Sequence, residues 1–354
     1  MTVMKDYIEI DGRRIGKDYP VYIIAEMSAN HMQNLERAKE IIRLAKEAGA
    51  DAVKLQSYKP DTITIDCHGD EFMTSKGSLW EGQTLYDLYK EAYMPWEWHE
   101  ELFDYAKEVG ITVFSSPFDP TAVELLKKLE APAYKIASYE LNDVGLIEDC
   151  AKTGKPVIMS TGIAYEEDVR LALKTCYDEG NEDVILLKCV SEYPSPYEDI
   201  NLRTIPDMEK KYDCIVGLSD HTFGYAVDVA AVALGAKVIE KHMTIKRSDG
   251  GADSGFSMEY EEFKEMVESI RQVEKALGKV TYDLTPKQVE ARKHSRSLYV
   301  VKDVKAGEEF TSENVRSIRP GLGLHTKYLK DVLGKKSNRD LLKGTAFSLD
   351  FIEK

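Results

Sequence analysis

The chain has 354 residues, 43% hydrophobic and 31% charged, with 47 Lys and Arg against 62 Asp and Glu for a formal net charge of −15. Length predicts one large domain plus a small one, composition is that of an ordinary soluble globular protein, and the negative balance argues against a nucleic-acid partner. No run of about 18 apolar residues predicts a membrane span, and the start MTVMKDYIEIDG lacks the apolar stretch of a secretory signal. Cys67, Cys150, Cys176, Cys189 and Cys214 are odd in number and without CxxC spacing, which suits a reducing cytoplasm.

In chain order, Tyr7–Ile15 reads as a hairpin around Asp11-Gly12, placed to plug the base of the larger fold. Strand and helix then alternate. The pattern predicts strands at Val21–Ala25, Ala52–Leu55, Ile111–Phe114, Ala133–Ile136, Pro156–Met159, Val184–Leu187, Cys214–Leu218 and Ala236–Ile239. Each is followed by a helical pattern, the last being Glu259–Leu277. Eight such units in about 260 residues are the arithmetic of a (β/α)8 barrel. A doubly wound sheet would carry fewer units and a glycine fingerprint after its first strand; here that strand is followed by Glu26-Met27-Ser28-Ala29-Asn30-His31. The stretch Ser57–Met94 breaks the rhythm, is rich in aromatics, and is expected to lie over the C-terminal face of the barrel. The expected division is a barrel domain at 1–278, a polar linker at 279–294 and a small, β-rich domain at 295–354.

Barrel enzymes build their sites where strands end. Here the predicted ends carry Glu26; Lys54 and Gln56; Ser115 and Ser116; Lys135, Ser138 and, just beyond, Glu140; Ser160, Thr161 and Gly162; Lys188 and Ser191; Ser219 and His221; and Glu240 and His242. A structural rim needs polar residues, but not lysines, hydroxyls, histidines and glutamates on every strand. Lysines with several hydroxyls suit phosphate and carboxylate. His221 and His242 end consecutive strands, whose spacing of about 5 Å lets both imidazoles reach one divalent cation with positions left open. Glu26 and Glu240 are candidate proton-transfer groups. Lys135 leaves a second chemistry open, a Schiff base as in barrel aldolases.

At these residues the chain resembles the sialic acid synthase family. The matching segments are IAEMSANH (24–31), GADAVKLQ (49–56), SSPF (115–118), YKIAS (134–138), STG (160–162), GLSDHT (217–222), IEKHMT (239–244) and Arg319-Pro320-Gly321. Within that family it is closest to the pseudaminic acid synthases, on SANH after Glu26, LLKC before Tyr193-Pro194, and GGADSGFS at 250–257. It departs from that pattern at Met32, Val190 and Glu192, and an N-acetylneuraminate or legionaminate synthase is the near alternative. The resemblance implies a TIM barrel followed by an antifreeze-like (SAF) domain. It also implies condensation of phosphoenolpyruvate with an N-acetylated amino sugar to a nine-carbon 2-keto acid and phosphate. His221 and His242 would hold Mn2+ or Mg2+. Lys54, Lys135, Ser116, Ser138, Ser160 and Ser219 would bind phosphoenolpyruvate, and Ser191 would be a further substrate-binding residue. Glu26, Glu140, Tyr193, Asp253 and Arg319 would face the sugar or assist its protonation, and Glu240 would position water. A homodimer in which each small domain covers the partner's barrel is also implied.

Overall fold

The computed structural model describes residues 5–76 and 79–353. Eight parallel strands close a barrel: β3 (Tyr22–Glu26), β4 (Ala52–Ser57), β5 (Thr112–Pro117), β6 (Tyr134–Ile136), β7 (Val157–Ser160), β8 (Val184–Cys189), β9 (Ile215–Asp220) and β10 (Val238–His242). Each strand pairs with the next in sequence, and β10 closes onto β3 with His242 opposite Glu26. The hairpin β1 (Tyr7–Ile10) and β2 (Arg13–Gly16) precedes them.

Alternation along each strand sorts the side chains. One set, including Val53, Leu55, Val113, Val216 and Ile239, packs outward against the helices. The other fills the lower lumen: Tyr22, Ile24, Ala52, Phe114, Ile158, Ile185, Leu187 and Val238 meet Ile8, Ile10 and Ile15 from the hairpin. The hairpin is therefore the expected plug. Gly217 lies where a Cβ would sit 2.3 Å from the Val238 carbonyl oxygen, so only glycine fits that lumen position.

The strands run further than the apolar runs that predict them. β4, β8, β9 and β10 continue through Gln56, Cys189, Asp220 and His242, because a closed barrel lets polar residues stay in the ladder as long as they face one another. Chemistry-bearing residues thus sit on strands, where the backbone holds them.

The chain divides into two compact units, 1–278 and 279–354. In the second, β11 (Ser297–Val300) and β12 (Val315–Ile318) pair antiparallel. They enclose a separate core of Leu298, Val300, Val304, Phe310, Val315, Val332, Leu341 and Phe347. Arg319 follows β12 directly, on a cis bond to Pro320. Among the described residues no helix is long and apolar enough to cross a membrane.

Candidate active site

The inward set that is apolar at the base turns polar one step higher, at Glu26, Lys54, Ser116, Lys135, Ser160, Ser219 and Glu240, all buried. Lys54 Nζ is 3.1 Å from Glu26 Oε2 and 3.1 Å from Glu240 Oε1. Lys135 Nζ is 3.8 Å from the same Glu240 oxygen, to which Ser219 donates at 3.1 Å. Lys54 also reaches Ser116 Oγ at 3.5 Å.

The two carboxyls that share Lys54 titrate in opposite directions. Burial pushes Glu26 up to about 7, Glu240 adds to the push, and only Lys54 and the Gln56 amide resist. Burial acts on Glu240 too, but Lys135, Lys54 and the Ser219 hydroxyl outweigh it and hold that carboxyl at about 2. Two ammonium neighbours instead of one make the difference. Lys135 is pushed down to about 8 by burial, against the pull of Glu240. The floor of the mouth thus holds two cations around one committed carboxylate, an excess of positive charge that an anion would balance.

Beside it lies a cradle of hydroxyls. Ser138 Oγ accepts from Gly162 N at 3.0 Å, and a Cβ on Gly162 would lie 2.2 Å from Ser191 Oγ and 2.7 Å from Ser138 Oγ. Glycine is what lets these serines converge. The buried hydroxyls of Ser160 and Ser191 have no hydrogen-bond partner among the described residues. Buried hydroxyls are normally paired, so these two are donors waiting for an acceptor. Glu140 has one unpartnered buried oxygen, and burial pushes its carboxyl up to about 7.

The His221 and His242 rings stand 5.2 Å apart. His221 Nδ1 is 2.8 Å from the Val190 carbonyl; a carbonyl only accepts, so Nδ1 carries a hydrogen, and in the neutral ring Nε2 has the lone pair. Cys189 Sγ, at 3.9 Å from the same nitrogen, is the weaker partner. His242 Nδ1 is buried without a partner among the described residues. Burial, with His221 and Lys54 adding to it, holds that imidazole well below its usual pKa and so neutral. Tyr193 and Phe256 wall the pair, with ring centroids 4.4 Å from His221 and 4.9 Å from His242. Trp80, from the long insertion, lies 6.0 Å from Tyr193 and donates to the Ala252 carbonyl at 2.9 Å. The insertion therefore reaches the tyrosine that packs on His221.

Asp253 accepts from Ser28 Oγ and, at 3.3 Å, from Ala29 N. Ser28 is joined through Gln56 Nε2, at 2.9 Å, to Glu26. Two strand-end residues, Lys188 and Ser115, do not join the group, and neither does His31 on the short helix after β3. Lys188 lies between the inward Leu187 and Cys189, faces out, and donates to the Cys189 carbonyl at 2.7 Å. Ser115 faces out to Ser57 at 2.7 Å. His31 packs on Trp98 at 5.7 Å, and burial pushes it down to about 4. Arg319 belongs to the second unit.

A model of the NeuB family matches residues 41–282, and one of the SAF domain matches 295–353. The pseudaminic acid synthase of Campylobacter jejuni is 48% identical over 93% of this chain and 96% of its own length. The chain belongs to the NeuB family. That of Helicobacter pylori is 45% identical over 95% of this chain and 98% of its own. The crystal structure of an N-acetylneuraminic acid synthetase from Leptospira borgpetersenii, in complex with citrate, superposes with a TM-score of 0.72 at 30% identity, covering 82% of this chain and 96% of that one.

This NeuB-family chain has residues that fit a divalent cation. Two neutral-capable imidazoles face each other, one oriented by a carbonyl as metal-ligating histidines are and one with an unpartnered nitrogen. Among the described residues no group of three or more His, Cys, Asp or Glu could hold a metal. Sequence reasoning places Gln56 at a strand end without a specific role and gives none to Ser28, Cys189 or Phe256. Period-2 spacing from Lys54 and Leu187 points to Gln56 and Cys189. Phe256 lies on a short turn after β10 and carries no such signal.

Proposed function

We propose that the chain condenses phosphoenolpyruvate with 2,4-diacetamido-2,4,6-trideoxy-altrose, giving a nine-carbon 2-keto sugar acid and phosphate, the reaction of a pseudaminic acid synthase. The observation that carries this is 48% identity to such an enzyme over 93% of the chain, with the cationic floor and histidine pair inside the matched region. Lys54 and Lys135 neutralise the carboxylate and phosphate of the enol, and Ser116, Ser138, Ser160, Ser191 and Ser219 supply donors to their oxygens. A divalent cation, when bound by His221 and His242, supplies Lewis acidity at the sugar aldehyde.

C3 of the enol forms its bond to the aldehyde carbon, whose oxygen takes a proton. C2 becomes electron-poor and gains a hydroxyl from water, whose other proton is released. The tetrahedral carbon then expels phosphate as its C–O bond breaks and the ketone forms. Glu26, poised at about 7, is the group that can give or take a proton near neutrality. Glu240, fixed as a carboxylate by two lysines, orients water and stabilises positive charge at C2. Tyr193, Glu140 and Asp253 face the sugar. In a homodimer whose small domains cover the partner's barrel, Arg319 would complete its polar contacts. Cysteines held as free thiols suit a cytoplasmic enzyme.

The test is phosphate release from phosphoenolpyruvate and Mn2+ with the altrose sugar, N-acetylmannosamine and the legionaminic precursor, each with and without chelator. Metal-dependent release with the altrose sugar alone is expected. Release with N-acetylmannosamine instead would keep the chemistry and change the acceptor. Chelator-resistant activity trapped by borohydride would transfer the reaction to a Lys135 Schiff base.

A further inference from the structure

A second cluster of buried charge lies on the outer side of β10 and takes no part in this scheme. Lys241 sits between Glu240 and His242, so strand alternation turns it away from the lumen. Its side chain is 1% exposed. Nζ bonds Asp220 at the end of β9, donates to the Thr222 carbonyl at 2.7 Å, and lies 3.4 Å from Asp228 on the helix Ala226–Ala233. Asp220 in turn accepts from the Thr222 amide at 3.1 Å and its hydroxyl at 2.8 Å. The turn 220–222 is closed on itself and bolted to β10.

The bolt falls at a particular place. The β9–β10 ladder runs Ile239–Leu218, Glu240–Ser219, Lys241–Asp220 and ends there. His221 is the next residue, beyond the last pairing. Its carbonyl accepts from Ser195 and its ring bonds the loop after β8, neither of which ties it to His242. The Lys241 ammonium makes that connection. Stability offers no reason for these residue types, because apolar replacements of buried ion clusters are commonly neutral or stabilising.

We propose that Lys241 is a positioning residue for the histidine pair: it sets the separation of His221 from His242 and, through it, the affinity for the divalent cation. The proposal rests on the reading that these histidines hold the cation.

Mn2+ titration of the full chain, read from the EPR signal of the free ion, tests it on wild type, His242→Ala, Lys241→Met and Asp220→Asn, with circular dichroism and a thermal midpoint for each. Lys241→Met is expected to bind Mn2+ about 10–100-fold more weakly, as loss of partners behind metal ligands does, with a lowered midpoint, because it leaves Asp220 and Asp228 buried without their cation. Asp220→Asn, which keeps the volume, is expected to weaken binding less, and it carries the test if Lys241→Met does not fold. Wild-type affinity in both variants, with binding lost in His242→Ala, overturns the clamp and leaves the histidine site standing. Binding retained in His242→Ala removes the site and the clamp together. A lowered midpoint with unchanged Mn2+ affinity marks a purely structural ion cluster and overturns the proposal.

Discussion

The base and the mouth of the barrel are built from the same inward-facing rows, two residues apart, and they do opposite things. At the base Tyr22, Ile24, Phe114, Ile158 and Ile185 close against Ile8, Ile10 and Ile15, each fully buried side chain contributing about 1.5–3 kcal/mol by leaving water. At the mouth Glu26, Lys54, Lys135, Ser160 and Glu240 are as deeply buried, yet Ser160 Oγ and Glu240 Oε2 have no hydrogen-bond partner among the described residues. Desolvated charge and orphaned donors work against folding. The ladder holds them in place because the base beneath is closed. Stability and chemistry are thus separated along the strand axis, and a substitution should affect one and spare the other.

The sharpest break of that contrast is His242→Ala. Phosphate release is expected to fall to the level of chelated wild type while the thermal midpoint holds; full metal-dependent turnover would remove His242 from the chemistry. Phe114→Ala is its mirror at the base. It should cost about 3–5 kcal/mol in urea denaturation, with the folded enzyme's KM for both substrates unchanged, and a shifted KM would show the two ends to be coupled. Lys135→Met is expected to lower kcat/KM for phosphoenolpyruvate about 10²–10³-fold, with little change in stability because Lys135 is itself a desolvated cation and Glu240 keeps its ion pair with Lys54.

The smallest effect is in pH. Lys135 is lowered from 10.5 to about 8, so it carries its charge below about 8 and loses it above. The value of kcat/KM for phosphoenolpyruvate, which reports the free enzyme, should therefore decline above about pH 8, and Lys135→Arg should remove that limb. The sign for folding is the reverse. Between about 8 and 10.5 the unfolded chain binds the extra proton, so this group's contribution makes stability rise with pH. A rate profile flat to about pH 10 would mean that Lys135 is not the anion-binding cation.

Most of the fold was legible. Eight apolar runs, each followed by a helical period, specify the barrel count and order, and the Asp11-Gly12 turn specifies the plug. The strand ends also named the polar residues, because period and residue type are local. Which of them face the lumen was less legible. Lys54 and Lys188 both end apolar runs, but one ladder extends through Gln56 and turns its lysine in, and the other turns Lys188 out. Ser115 and Ser116 are neighbours on opposite faces.

By itself the sequence determined the units, their order and the kinds of group available at the mouth, since these depend on neighbours a few residues apart. Only the tertiary structure decided that Glu240 is shared by two lysines while Glu26 has one, and so which carboxyl is an anion and which can carry a proton. It also decided that Lys241 meets Asp220 behind the histidines. Those partners are far apart along the chain, and a charge's behaviour is set by what barrel closure places within a few ångströms of it.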